Sequence, residues 1–209
     1  MDLVIDGDPW APTLVLAHGA GAPMDSRGMT ALATRIADRG IRVVRFEFGY
    51  MAARRDGLRK PPPRADTLLD EYRAVLAEIG GRPVIGGRSM GGRVASMVAA
   101  STAGGGDPAV AGLVCVSYPW HPPPKPDQPR IAHLEHLATP ALIVQGTRDP
   151  FGTPDEVAAY PLSPAIEMLW LEDGDHDLTP RKSVSGFTAA QHLDTTADAV
   201  ADFVRRVAG

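Results

Sequence analysis

Six short apolar runs, Thr13 to Ala17, Arg42 to Phe48, Pro83 to Gly86, Val110 to Val116, Ala141 to Gln145 and Ile166 to Leu171, alternate with stretches of helical periodicity. Strand-length runs that are apolar on both faces need cover on both sides, and helices alternating with them supply it over a mostly parallel sheet. Between the first two runs Met29, Leu32, Ala33, Ile36 and Ala37 share one helical face, with Gly40 where a helix stop is wanted. Leu68, Leu69, Tyr72, Val75, Leu76 and Ile79 repeat the pattern before Gly80. Thr153-Pro154-Asp155-Glu156 reads as a capping box with proline at the first helical position, so a short helix is expected after Asp149. Leu193, Ala197, Val200, Val204 and Val207 mark a last amphipathic helix that should dock on the sheet. The expectation is one α/β domain over residues 1–209. Pro61 to Pro63 and the His121 to Pro126 stretch, HPPPKP, read as stiff loops within it.

Charge and cysteine content narrow the class of function. The 209 residues are 44% hydrophobic and 22% charged with a net charge of −4, a balance without the basic field that nucleic acid or an anionic membrane would demand. No stretch approaches the roughly 20 apolar residues of a membrane span, and MDLVIDGDPW lacks the basic leader and apolar core of a secretory signal. Cys115 is the only cysteine, which excludes an internal disulfide and argues against a thiolate zinc site. A cytoplasmic location is expected, with no cofactor or metal, no nucleic-acid partner and no membrane partner. The sequence does not specify an oligomeric state.

The stretch IGGRSMGGR, residues 85–93, sets Ser89 among four glycines between an apolar run and a helical stretch. Gly87-Arg88-Ser89-Met90-Gly91 matches G-x-S-x-G, in which a sharp strand-to-helix turn exposes a serine at the carboxyl edge of a sheet. Side chains two residues to either side would collide with neighbouring elements, and glycine removes them. The helix N-terminus below the serine then offers free N–H groups to a developing oxyanion. A phosphate loop is excluded because Gly91 is followed by Gly92-Arg93 rather than Lys-Ser/Thr.

A nucleophilic serine needs a base, and the base an orienting acid; in enzymes with this turn they follow in the order Ser, acid, His. Asp149 and His176 lie just past the next strand ends, so three loop tips can converge. His133 and His136 fall on a helical excursion before Pro140, His192 at the start of the last helix and His121 in a proline-rich loop, all read as exposed or pocket-lining. His18 opens His18-Gly19-Ala20-Gly21-Ala22 after the first strong strand, where a glycine-rich turn can present an N–H to the oxyanion. A dinucleotide fingerprint there breaks at Met24.

With these residues in place the chain resembles the α/β-hydrolase fold superfamily from Thr13 to the last helix. It is similar to a group of small bacterial dienelactone-hydrolase-like proteins, and to the related hydrolase-like domain of a testis-expressed protein and of a chromatin-associated acetyltransferase-complex subunit. The phrases that carry this are LAHGAGAPMDS, VVRFEFGYM, GGRSMGGRVAS, YPWHPPPKP and VQGTRDPFGT. The resemblance implies a central sheet of about eight strands, a triad of Ser89, Asp149 and His176, and oxyanion donors in the backbone N–H groups of Ala20 and Met90. Dienelactone hydrolases proper use a cysteine nucleophile, whereas this chain has Ser89 there. Residues 118–139 occupy the position where larger members insert a helical lid, so an open or shallow pocket with little or no lid is expected. Two classes of function follow. One is a serine hydrolase of small esters, thioesters or lactones, its partner a small acyl substrate; the other is a hydrolase-fold binding or interaction scaffold.

Further residues are candidates around the centre. His18, Gly21, Arg88, Tyr118, Trp120 and His121 are candidate pocket residues, although aromatic side chains after a buried strand can equally be packing. Arg88 either meets a substrate carboxylate or is held in a buried pair with Glu47; the pair is the favoured reading, since an unpaired charge at that depth is costly. Arg54, Arg55, Arg59, Lys60 and Arg64 form a cationic loop, read as a solvated face that could also recruit anionic acyl groups or an acidic partner.

Overall fold

In a computed structural model, which describes residues 2–58, 60–101 and 109–209, the apolar runs become strands of one sheet. The elements in chain order are β1 (Leu3–Asp6), β2 (Thr13–Ala17), α1 (Arg27–Ala37), β3 (Arg42–Phe46), α2 (Gly49–Arg55), α3 (Leu69–Ile79), β4 (Val84–Arg88), α4 (Met90–Ser101), β5 (Gly112–Val116), β6 (Ala141–Gly146), α5 (Pro154–Ala158), β7 (Ile166–Leu171), α6 (Lys182–Ser185) and α7 (Ala189–Ala208). The seven strands are ordered β1-β3-β2-β4-β5-β6-β7, all parallel except β1, which runs antiparallel to β3 along one edge. Among the described residues the sheet has seven strands, against the about eight that the resemblance implied.

Each face of the sheet has its own core. On one, Met29, Leu32 and Ile36 of α1 and Val200, Phe203 and Val204 of α7 pack over Leu14, Val43 and Val114. On the other, Tyr72 and Val75 of α3 and Val94 and Val98 of α4 cover Val15, Ile85, Leu113 and Ile143. Each fully buried large apolar side chain contributes roughly 1.5–3 kcal/mol over its exposed state, so both layers are held by burial. Thr153 caps α5 in the expected box, its N–H donating to Glu156 Oε2 at 2.8 Å.

Besides the one-turn helix Lys182–Ser185, two elements went unread in the sequence. Leu3–Asp6 is a half-exposed edge strand, and Gly49–Arg55 is a helix where a loop was expected. Arg54 and Arg55 therefore project from α2, and the cationic residues are dispersed. Arg55 pairs with Glu47 and Asp25, Arg64 with Asp66, and Arg54 stacks over Tyr50 and donates to the Lys60 carbonyl. Arg59 lies outside the described residues. Residues 118–139 contain turns and no helix, correcting the helical excursion expected around His133 and His136 and leaving the carboxyl edge of the sheet without a helical lid. Among the described residues no helix is long and apolar enough to cross a membrane.

Strand β2 is flanked by β3 on one side and β4 on the other, both parallel to it, so chain connections leave it in opposite directions. Such a reversal opens a crevice at the carboxyl ends of the two strands, where open α/β sheets place ligands. The loop after β2 and the turn after β4 border it.

Candidate active site

Ser89 is the hinge between β4 and α4 and has a φ of +50°, a left-handed conformation that an L-residue adopts only when its surroundings enforce it. The enforcement is close packing. A methyl group on Gly87 would lie 2.4 Å from the Gly91 carbonyl carbon, and one on Gly91 would lie 2.4 Å from the carbonyl oxygen of His18. Glycine at both positions lets α4 begin directly above β4 and lets the β2 loop close against it.

His176 reaches Ser89 from the loop after β7. Its Nε2 is 2.9 Å from Ser89 Oγ, and its Nδ1 is 2.8 Å from Asp149 Oδ2. Because a carboxylate can only accept, Nδ1 carries the proton and Nε2 is left to accept from the serine hydroxyl. Asp149 is fully buried and held by two further donors, Gln145 Nε2 at 2.8 Å and the Phe151 N–H at 2.9 Å. The Phe151 ring packs against the imidazole with centroids 4.3 Å apart. Sequence reasoning did not single out Gln145 or Phe151. Gln145 could have been found as the polar residue ending a buried apolar run, four positions before Asp149; nothing local marks Phe151.

The loop bearing His176 is anchored independently. A methyl group on Gly146 would lie 2.2 Å from the Gly174 carbonyl oxygen, so the end of β6 and this loop run in direct backbone contact. Asp173 accepts from the Arg181 N–H and from the Arg148 and Arg181 guanidinium groups, which together hold its carboxyl well below the usual range. Arg88 braces the same loop by pairing with Asp177 and donating to the His176 carbonyl. The expected Arg88–Glu47 pair is not formed: Glu47 accepts instead from Arg55 at 2.7 and 2.9 Å and from the Met24 N–H at 3.2 Å. Glu47 points toward the rim near α2, whereas Arg88 points toward the His176 loop.

His18 is buried, accepts the Phe48 N–H on Nε2 at 3.2 Å and sits with Nδ1 2.6 Å from the Gly19 carbonyl. One neutral tautomer satisfies both contacts, and burial lowers its pKa below the ordinary histidine value. The ring thus shapes the turn that carries Ala20 past Ser89. Tyr50 donates to the Ala20 carbonyl at 2.9 Å and holds that peptide from the outer side. Among the described residues neither the Ala20 nor the Met90 N–H has a protein acceptor.

Tyr118, Trp120 and His121 do not wall the pocket as expected. All three are buried, Tyr118 against Trp120 with ring centroids 4.8 Å apart and Trp120 against Gly152, whose φ of +155° and missing side chain make room for the indole. The intervening Pro119 and the following Pro122 face the groove instead. His192, expected at the surface or a pocket wall, is buried with Nδ1 2.9 Å from the Leu178 carbonyl. His133 is half-buried beside Ser96 at 2.8 Å. Cys115 is fully buried in β5, and burial pushes its thiol far above the ordinary value, so it is no rival nucleophile.

Two depressions meet at Ser89. A groove of about 600 Å³ extends over Met90, Arg93, Pro119 and Arg130, and a smaller one of about 340 Å³ lies between Gly21, Arg88 and His176. Ala20, Ser89 and Phe151 border both. A hydroxyl bonded to an oriented imidazole, in a depression that Ala20 also borders, is an arrangement able to attack a carbonyl carbon. Among the described residues no group of three or more His, Cys, Asp or Glu side chains could hold a metal ion.

Comparison with known proteins agrees with this architecture. The family model described as "Alpha/beta hydrolase domain" matches residues 11–205. An alpha-beta serine hydrolase homologue from Coxiella burnetii superposes with a TM-score of 0.68 at 20% identity, covering 96% of this chain and 90% of that one. A lidless a/b serine hydrolase from Xanthomonas campestris gives 0.67 at 20% identity, covering 98% and 88%. Est1E from Butyrivibrio proteoclasticus with ferulic acid bound gives 0.71 at 14% identity, covering 99% and 94%. With the family match spanning nearly the whole chain and the sheet, elbow and loop order agreeing with it, the chain belongs to the alpha/beta hydrolase domain family.

Proposed function

We propose that this chain is a single-domain, cofactor-independent serine hydrolase that cleaves a small ester, thioester or lactone through an acyl-enzyme on Ser89. The observation that carries the reading is the unbroken line Ser89–His176–Asp149, with contacts of 2.9 and 2.8 Å at the N-terminus of α4. As Ser89 Oγ attacks the acyl carbon, His176 Nε2 takes its proton and later returns it to the leaving oxygen or sulfur. Asp149 fixes the tautomer and balances the imidazolium charge. The N–H groups of Ala20 and Met90 hold the tetrahedral oxygen, a contribution worth about 100- to 1,000-fold per donor in comparable sites. Water, deprotonated by the same imidazole, then attacks the acyl-serine and releases the acid. The esterase and serine hydrolase neighbours support ester chemistry, and the single buried cysteine suits a reducing compartment such as the cytoplasm.

Labelling with a fluorophosphonate probe tests the reading. The wild-type chain should label and Ser89→Ala should not; folded wild-type protein that resists labelling would transfer the assignment to a binding scaffold on the same fold. A series of p-nitrophenyl esters of increasing chain length then measures how much acyl group the site accepts.

A further inference from the structure

The larger groove contains two cations that the proposed mechanism does not use. Arg93 lies one turn beyond the nucleophile on α4, its N–H donating to the Ser89 carbonyl at 3.0 Å, and it lines the groove. Arg130 enters from the segment after β5, with its backbone pinned from both directions: its N–H donates to the Trp120 carbonyl at 2.7 Å and its carbonyl accepts from the Tyr118 hydroxyl at 2.8 Å. Both arginines are half-buried. Elsewhere in the fold Arg45, Arg55, Arg88 and Arg181 meet carboxylates. Among the described residues neither Arg93 nor Arg130 has an ion-pair partner or a side-chain hydrogen bond, and Arg93 Nε is fully buried without an acceptor.

Their surroundings sharpen the anomaly. Asp66 borders the same groove, but Arg64 occupies it with bonds of 2.8 and 3.1 Å. Burial, and then the charge of Arg93, lower the pKa of Arg130, while the same two causes hold His133 neutral behind the groove. Arginine stays protonated through such shifts, so two like charges are kept together where desolvation makes them unfavourable. Two arginines bordering one groove are suited to a planar or tetrahedral oxyanion, and binding one would relieve the repulsion between them. The smaller depression on the other side of Ser89 has no comparable charge to offer, since Arg88 is committed to Asp177.

We infer that the substrate cleaved at Ser89 carries a carboxylate or phosphate on the arm that lies in the larger groove, held there by Arg93 and Arg130. The inference rests on the hydrolase reading for its chemistry; the anion is a handle and takes no part in bond making. The bond broken remains the acyl C–O or C–S bond, water supplying one hydrogen to the leaving group and a hydroxyl to the acyl carbon.

The test compares mono-p-nitrophenyl glutarate with p-nitrophenyl butyrate. The ratio of their kcat/KM values should favour the charged ester at least tenfold in the wild type. It should fall roughly 10- to 100-fold in Arg93→Gln/Arg130→Gln, the range expected for losing hydrogen bonds to a charged group. Arg82→Gln, the same charge change at the amino end of β4, should leave the ratio in place, and Arg93→Lys/Arg130→Lys should restore part of it. A wild-type ratio near one, or a ratio unmoved by the double substitution, overturns the inference. If the double variant does not fold, Arg130→Gln alone serves. Calorimetric titration of Ser89→Ala with glutarate and with inorganic phosphate reads the same site without turnover, and whichever anion binds more tightly identifies the handle. Binding lost on adding the arginine substitutions supports the inference; binding of neither anion, or binding that survives them, overturns it. Anion binding in a protein that resists the fluorophosphonate would leave this inference standing and remove the hydrolase reading.

Discussion

Replacing Gly91 by alanine tests whether the nucleophile turn is held by backbone contact. The added methyl group would lie 2.4 Å from the His18 carbonyl oxygen and 2.7 Å from that of Ala17. An ordinary contact needs about 1 Å more, and backbone oxygens at the end of a buried central strand cannot rotate away as a side-chain tip can. Relief requires α4 to move off β2. Overpacking of this kind costs about 1–3 kcal/mol, while alanine in place of glycine in a helix returns less than about 1 kcal/mol. The clash therefore wins, by about 1–2 kcal/mol. At about 2–4 °C per kcal/mol for a domain of this size, the melting temperature should fall by about 2–8 °C. The rate should fall further than stability, because the displaced loop carries the Ala20 N–H, and about 1 Å of misplacement at a reacting centre costs on the order of 100-fold. Thermal unfolding followed by circular dichroism and kcat/KM on a p-nitrophenyl ester read the two effects separately. Gly21→Ala, whose methyl group would meet nothing within 4 Å, should melt within about 1 °C of wild type. A Gly91→Ala variant that melts as high as wild type and turns over at a similar rate would refute the reasoning.

Three further outcomes are expected. Ser89→Gly should melt about 2–4 °C above Ser89→Ala, since glycine removes roughly 1 kcal/mol of left-handed strain at φ +50°; equal melting temperatures would show that the turn stores no strain. Asp149→Asn should stay folded but lose on the order of 10⁴-fold in kcat, because Gln145 and His176 donate to one carboxylate oxygen and the Phe151 N–H to the other, so an amide nitrogen in either place faces a donor, and one turned toward His176 imposes the wrong imidazole tautomer; single-turnover kinetics would measure the loss. His133 is held down at about 4 by burial and, after that, by Arg93. Above about pH 6.5 it is neutral in both the folded and unfolded chain; below that value the unfolded chain takes up a proton that the folded chain refuses. Its contribution to stability is therefore complete above about pH 6.5 and is lost by about pH 4, amounting to about 3 kcal/mol. Urea unfolding across that range should show a shallower decline in His133→Gln.

How much was legible depends on the range of the interaction. The five buried strands β2 to β6, the strongly apolar edge strand β7 and the helices over Arg27–Ala37, Leu69–Ile79 and Ala189–Ala208 were readable because apolar burial on a regular element marks neighbouring residues. The edge strand Leu3–Asp6 escaped because a half-exposed pairing at a sheet margin leaves no such period, and α2 escaped because its cationic residues resemble a solvated loop. At the site, Ser89, Asp149 and His176 were reachable because each follows a recognisable strand end and topology brings those ends to one edge. Phe151 was not, since its packing on His176 depends on a turn conformation that leaves no mark in sequence.

The chain by itself determined the layered α/β architecture, the glycine-framed turn at Ser89 and the order of the three polar loop residues, all consequences of local periodicity and steric demand. Only the tertiary structure decided which charges meet. Arg88 turned to Asp177 rather than Glu47, Glu47 to Arg55, and among the described residues Arg93 and Arg130 were left together without an ion-pair partner. The aromatic pair Tyr118 and Trp120 went into the core for the same reason, with Pro119 and Pro122 facing the groove. Ion pairing and side-chain packing between distant segments depend on directions and distances of a few ångströms, which residue spacing along the chain does not encode.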